Sequence, residues 1–307
     1  MKYYDEILSI TDQIKFKHSF VPRLSYDNIV IAGMGGSSIA GEIFGEIYTR
    51  VPVVVSRGSD IPDFVSDKTL FIAISYSGNT EETISAVEQA MAKRAQIFII
   101  TSGGQLADIE EEKIIIPAGY QPRSAIGYLL TPLLRTFGLV DDSTVDSISN
   151  ALNAVKEHEG VIKEIATKIV SERRIPFIIG VPPVPSVAYR WKTQFNENAK
   201  IFAHSVPYPE MNHNELEAIP NFFGGYNFEY FLSGIPRGQY SERIETTESI
   251  AGIRIHRLPF AAGDVIPELF ASILYGDLLS YFIAVERGVD PRDVSTIQRF
   301  KESVRKH

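Results

Sequence analysis

Short runs of β-branched and aliphatic residues recur along the chain, each ending in small or polar residues. In the first half they are Asn28–Ala32, Pro52–Ser56, Leu70–Ser75, Ile97–Thr101 and Lys113–Ile116. Between them apolar positions return every three or four residues and predict helices starting near Ser37, Thr80 and Arg123. Most of these runs are apolar at successive positions, so both faces of each strand are buried. That pattern predicts parallel strands with helices on either side. A polar stretch, Asp141–Asn150 (DDSTVDSISN), then predicts a linker ahead of a long amphipathic helix. The second half restarts the alternation, with strands at Pro176–Val181, Lys200–His204, Phe228–Ser233 and Ile253–Leu258. A helix through Arg190–Asn198 and a long C-terminal helix over Leu269–Arg287 complete it. The expected fold class is α/β, two doubly wound parallel-sheet domains, each a three-layer α-β-α sandwich, at residues 1–148 and 149–307.

Composition narrows the chemistry. With 307 residues, 44% apolar and 22% charged, the chain suits a globular protein of two domains. It contains no cysteine, which excludes disulfides, thiolate nucleophiles and cysteine-ligated metals. A net charge of −8 with no clustered basic face argues against nucleic acid as a partner. It leaves room for a small anionic ligand at a local site. No apolar run approaches the roughly 18 residues of a membrane helix. The start, MKYYDEILSI, mixes charge and tyrosine where a signal peptide carries an uninterrupted apolar stretch, so no membrane partner and a cytoplasmic location are expected.

Two loops end strands and open helices in the first half: Gly33–Ser38 (GMGGSS) and Ser75–Thr80 (SYSGNT). In a parallel sheet both lie at the carboxyl edge, where backbone N–H groups at helix N-termini attract anions. Gly35 and Gly36 permit close approach, and Ser37, Ser75, Ser77 and Thr80 offer hydroxyl donors to phosphate oxygens. Neither loop fits a dinucleotide fingerprint or a Walker loop, so a monophosphate is the better match. The plainer alternative is that Asn79 caps a helix in a box with Glu82 while the glycines turn the chain.

Arg123, in QPRSAIGY, also falls at this edge and can grip an oxyanion with its planar fork; the plain alternative is an exposed arginine at a helix start. In the second half Glu197 lies between two asparagines in QFNENAK, where their amides can orient a catalytic base. A solvated helix charge is the plain alternative there. His213, in PEMNHNELEA, has no metal-binding spacing and suits acid–base work better. Lys301 lies on an amphipathic terminal segment, where a surface lysine is the default.

Taken together, GMGGS and SYSGNTEE resemble the sugar-isomerase (SIS) domain signature. QPRSAIGY, QFNENAK, MNHNELEA and the terminal lysine segment resemble the bifunctional phosphoglucose/phosphomannose isomerases, in order from Gly33 to Lys301. SYSGNTEE alone marks the wider superfamily; NENAK with MNHNE is the narrower signal. The resemblance implies two SIS domains and a homodimer with active sites shared across the interface. It also implies isomerisation of glucose 6-phosphate or mannose 6-phosphate to fructose 6-phosphate, with no metal and no cofactor. Carried over, Ser75, Ser77 and Thr80 would hold the phosphate, with Gly35, Gly36 and Ser37 near the sugar. Glu197 would move a proton between C1 and C2, Arg123 would stabilise a cis-enediolate, and His213 from the partner subunit would open the ring with Lys301.

One position departs from the family pattern. A threonine seven residues before the terminal lysine is linked there to use of mannose 6-phosphate, where glucose-only relatives carry glutamine. Here that position is Val294, and Thr296 is the nearest threonine. Valine also lacks the glutamine amide, so dual use is expected. The alternatives are a non-catalytic sugar-phosphate sensor, for which no residues remain to form a DNA-binding module, and another phosphosugar isomerase. The amidotransferase relatives need a cysteine that this chain lacks. A zinc-dependent mannose isomerase would differ in its sensitivity to chelators.

Overall fold

Five apolar runs of the first half form one parallel sheet in the computed structural model, which describes residues 2–21, 25–221, 227–260 and 263–304. Its strands are β1 (Asn28–Ala32), β2 (Val53–Ser56), β3 (Thr69–Ser75), β4 (Gln96–Thr101) and β5 (Glu112–Ile115), in the order β2-β1-β3-β4-β5. Helices α1 (Tyr3–Leu8) and α2 (Ile10–Gln13) precede it. Helices α3 (Gly36–Ile47), α4 (Glu81–Ala92), α5 (Gln105–Asp108) and α6 (Ile126–Thr136) follow in turn. Alternate strand residues divide between two cores. Val30, Ala32, Phe71, Ala73, Ile97 and Ile99 pack with Ala86, Val87 and Ala90 of α4 and Leu106 of α5. Ile31 points the other way, against α3, where a Cβ on Gly41 would lie 2.8 Å from it. The sheet is therefore covered on both faces, as its unbroken apolar runs require. Each large side chain buried in this way contributes about 1.5–3 kcal/mol.

The stretch expected as a linker is helical. Helix α7 (Asp142–Glu157) starts one residue after Asp141, whose Oδ1 accepts from the Thr144 backbone N–H at 2.8 Å and from the Ser143 and Thr144 hydroxyls. These bonds hold the Asp141 carboxyl down at about 2. The serine and aspartate content is thus capping chemistry, and Val145, Ile148, Leu152 and Val155 supply the buried stripe behind it. The chain divides into two units, one of Asp5–Leu152 with Ala262–Phe270, the other of Met1–Tyr4, Asn153–Ala261 and Ala271–His307.

The second unit holds a four-stranded parallel sheet, β6 (Ile175–Gly180), β7 (His204–Pro207), β8 (Phe228–Leu232) and β9 (Ile255–His256), in the order β7-β6-β8-β9. Its helices are α8 (Glu159–Ser171), α9 (Ser186–Gln194), α10 (Glu215–Ala218), α11 (Gln239–Ala251), α12 (Val265–Glu286) and α13 (Ser295–Val304), with α12 shared between the units. Phe177, Ile179, Tyr230 and Leu232 face one core with Met211 and Ile244. On the opposite face Trp191 of α9 packs against Phe231, stacks on Tyr275 of α12 and donates to the Ser272 carbonyl at 3.0 Å.

Two further expectations need correction. The strand placed at Lys200–His204 begins only at His204, because Lys200 turns left-handed (φ 56°) and Ile201 N–H returns to the Phe195 carbonyl. Helix α12 does pass the length and composition test for a membrane span, against the expectation that nothing would. However, 89% of its apolar window is buried within the chain, and its Asp277 pairs with buried Arg190 at 2.6 Å.

Candidate active site

The strand order places β1 and β3 side by side with their connections leaving in opposite directions. That is a topological switch point, where doubly wound sheets open a crevice at the carboxyl edge. Both candidate phosphate loops start there. In the second, Ser75 Oγ lies 3.0 Å from Thr80 Oγ1 and accepts from Gly78 N–H at 3.2 Å; Ser77 Oγ accepts from Asn79 N–H at 3.3 Å. Gly78 has φ +66°, and a Cβ on it would fall 1.7 Å from the Gly103 carbonyl, so only glycine fits. Asn79 is not the cap of α4. Thr80 holds that position, and Asn79 Oδ1 instead accepts from the Gln105 backbone, tying this loop to the next. In the first loop Ser37 is buried in the opening turn of α3, and Ser38 Oγ donates to the Gly35 carbonyl at 2.8 Å.

Arg123 joins the same edge. A Cβ on Gly36 would lie 3.7 Å from Arg123 Cα, so the GMGGSS loop touches the 3₁₀ turn Pro122–Ala125 that carries the arginine. Arg123 is only 5% exposed, which overturns the reading of it as an ordinary surface residue. Its Nη1 donates to Gln121 Oε1 at 3.4 Å. Tyr76, a residue that sequence reasoning passed over, braces this region from the Ser75–Thr80 loop. Its hydroxyl donates to the Pro117 carbonyl and accepts from Tyr120 N–H at 2.9 Å. Burial pushes its phenol up, which keeps it the donor it needs to be.

Glu197 belongs to the other unit, in a single π-helical turn, Phe195–Ala199, at the end of α9. Such insertions mark functional positions often. The asparagine amides on either side act on the surrounding frame: Asn196 donates to the Ile201 carbonyl at 2.8 Å, and Asn198 to Gln194 Oε1 and Ser280 Oγ at 3.0 and 2.9 Å. Tyr3 closes the network by donating to Asn198 Oδ1 at 2.8 Å. The carbonyls left over at the end of the turn meet cations, as helix C-termini favour. Lys200 donates to the Glu197 carbonyl at 2.5 Å, and Arg287 to those of Ala199 and Lys200. Lys200 and Arg287 are supports that the motif reading missed; only the NENAK pattern hinted at the first.

A cavity of about 460 Å³ opens beside Glu197, lined also by Lys200, Phe202, Val294 and Thr296 among others. Val294, the departure from the family pattern, therefore shares a wall with Glu197. His213 is exposed at the end of a 3₁₀ turn anchored by buried Met211 and by Asn212, which donates to the Tyr208 hydroxyl at 2.9 Å. Lys301 is exposed on α13. Neither the His213 nor the Lys301 side chain makes a hydrogen bond or ion pair among the described residues, so both are available to a ligand.

Comparison with known proteins identifies the domains and the family. The SIS domain model matches residues 25–133, and the model of the bacterial phospho-glucose isomerase C-terminal SIS domain matches residues 159–304. The bifunctional phosphoglucose/phosphomannose isomerase of Thermoplasma volcanium is 45% identical over 304 residues, covering 99% of this chain and 100% of that protein. Its counterpart in Thermoplasma acidophilum is 42% identical, covering 99% and 98%. Among solved structures, the C-terminal domain of glucosamine-fructose-6-phosphate aminotransferase from Francisella tularensis shares the fold. It has a TM-score of 0.73 at 15% identity over 94% of this chain and 96% of that one. Two SIS domains and this level of identity along the full length show that the chain belongs to the bifunctional phosphoglucose/phosphomannose isomerase family.

Proposed function

We propose that the chain interconverts glucose 6-phosphate and mannose 6-phosphate with fructose 6-phosphate, as an aldose–ketose isomerase. The observation that carries this reading is the buried Arg123 turn against Gly36, in the unit whose two hydroxyl-rich loops flank the sheet's switch point. Ser75, Ser77 and Thr80 hold the phosphate, with Gly35, Gly36 and Ser37 beside the sugar. Binding remote from the reacting carbons supplies energy for orienting them. Glu197 takes the proton from one of C1 and C2 and returns it to the other. The negative charge that develops on oxygen needs a fixed cation, and Arg123 is that group. His213 from a partner subunit and Lys301 exchange the proton on the ring oxygen, which needs an acid–base group separate from the base at carbon.

The chemistry accounts for two substrates at one site. Glucose and mannose 6-phosphates differ only at C2, which becomes planar in the enediolate, so both aldoses pass through the same intermediate. No step in this sequence requires a metal or a cofactor. The working form is a cytoplasmic homodimer whose sites are completed across the interface. The test is an assay of both aldoses for fructose 6-phosphate, with and without EDTA. Turnover of both that survives chelation supports the reading. Phosphosugar binding without turnover would favour a sensor, and loss of activity with EDTA a metal-dependent isomerase.

A further inference from the structure

Behind Arg123 lies a layer of buried polar side chains that the proposed reaction does not use. Glu6 of α1 is 0% exposed. A carboxylate removed from water is stable only where hydrogen bonds replace its hydration. Here Glu6 Oε2 accepts from the Gln121 backbone N–H at 3.1 Å and from Ser124 Oγ at 2.9 Å, one on each side of Arg123. Gln13 of α2, also 0% exposed, grips the same turn: its Nε2 donates to the Ser124 carbonyl at 2.8 Å, and its Oε1 accepts from Tyr128 N–H at 3.3 Å. Gly127 makes room for it, since a Cβ there would lie 2.7 Å from Gln13 Cβ. With the Tyr76 bonds to Pro117 and Tyr120, the segment around Arg123 is tied on both sides.

We infer that Glu6 is a positioning residue for Arg123, and that α1 and α2 form a clamp aiming the guanidinium at the developing oxyanion. The inference rests on the reading of Arg123 as the group that stabilises the enediolate. Such stabilisation is effective only when the donor is fixed before charge develops. A displacement of about 1 Å can cost on the order of 100-fold in rate. Removing the Glu6 carboxylate leaves two donors beside Arg123 without this acceptor and lets the turn relax, while the hydroxyls of the phosphate loop stay in place. A merely structural role would instead lower stability and leave the folded enzyme's selectivity unchanged.

The test measures Glu6→Ala, Glu6→Gln and Ser124→Ala, with Arg123→Lys as reference. The readouts are kcat and the affinities for two probes. One is sorbitol 6-phosphate, a neutral polyol carrying the phosphate handle; the other is a five-carbon phosphorylated hydroxamate whose anion mimics the enediolate. Glu6→Ala is expected to lower kcat and hydroxamate affinity by about tenfold or more, with sorbitol 6-phosphate affinity within about twofold. Glu6→Gln keeps an acceptor oxygen in the same place and regains most of the loss, and Ser124→Ala falls between. Folded variants in which both probes weaken together, or in which kcat is unchanged, overturn the inference. If Glu6→Ala does not fold, Ser124→Ala decides by the same criterion of selective hydroxamate loss. If Arg123→Lys changes neither kcat nor hydroxamate binding, the reading of Arg123 fails and the clamp fails with it. If it changes both while the Glu6 and Ser124 variants do not, the clamp alone is wrong.

Discussion

The ammonium of Lys200 donates to the carbonyl oxygen of Glu197 at 2.5 Å, so the proposed base is held through its own backbone by the residue that ends its turn. The same ammonium reaches the Asp290 carbonyl at 3.0 Å, which ties the π turn to the segment leading into α13. Charged hydrogen bonds of this kind contribute about 1.5–3 kcal/mol each where water is excluded, and less where, as here, one partner is exposed. Lys200→Met should therefore lower stability by about 1–2 kcal/mol in urea unfolding. It should also reduce kcat about tenfold or more through loss of alignment, with KM nearly unchanged. An equal rise in KM would show that Lys200 acts in binding instead.

Gly78 is the point at which the proposed phosphate loop tolerates no side chain. Gly78→Ala should force the loop from the Gly103 carbonyl, destabilise the protein by more than about 1 kcal/mol, and raise KM for both aldoses. A variant with unchanged stability and KM would mean that the loop repacks freely and does not set the phosphate site.

Glu229, 4% exposed on β8, predicts how stability depends on pH. It accepts from Lys168 at 3.1 Å and Arg174 at 2.8 Å and pairs with His256 at 2.5 Å. Burial pushes its carboxyl up, but the His256 and Lys168 hydrogen bonds and the charges of His256 and Arg174 outweigh this and hold it at about 2. A carboxyl lowered in the folded state stabilises fully above its ordinary value near 4.5, and that contribution fades as pH falls from there through about 2. The shift corresponds to about 3 kcal/mol. Glu229→Gln should lose on that order at neutral pH, and the gap to wild type should close on acidification from about pH 5 towards 2. A gap independent of pH would contradict the assignment.

Val294 and Glu197 line one cavity, so under the proposed function a change at position 294 alters the wall beside the reacting carbons. Val294→Gln adds a longer, polar side chain to that wall. It should lower kcat/KM for mannose 6-phosphate about tenfold or more relative to glucose 6-phosphate, within the range that a few altered pocket contacts provide. Parallel assays of both sugars check this; equal effects on the two would remove Val294 from the specificity argument.

The sheets were legible because burial on both faces leaves a strong trace in the chain. All seven residues of β3 are buried, and β1 runs over the residues its apolar stretch predicts. The candidate loops stood out because small and hydroxyl residues cluster between a strand and a helix, as in SYSGNT. The supporting shell was not. Glu6 and Arg123 carry charges that composition assigns to the surface, and only the tertiary fold reveals that both are buried. The π turn extends the end of α9 with residue types that do not mark it, and Asp141–Asn150 reads as a linker because capping residues and loop residues are the same types.

The most direct test is Glu197→Gln, which preserves shape and removes the proposed base. Fructose 6-phosphate formation from both aldoses should fall by orders of magnitude, while sorbitol 6-phosphate affinity and thermal stability stay close to wild type. Substantial turnover of either aldose by a folded, phosphosugar-binding Glu197→Gln would contradict it and place the proton transfer on another group.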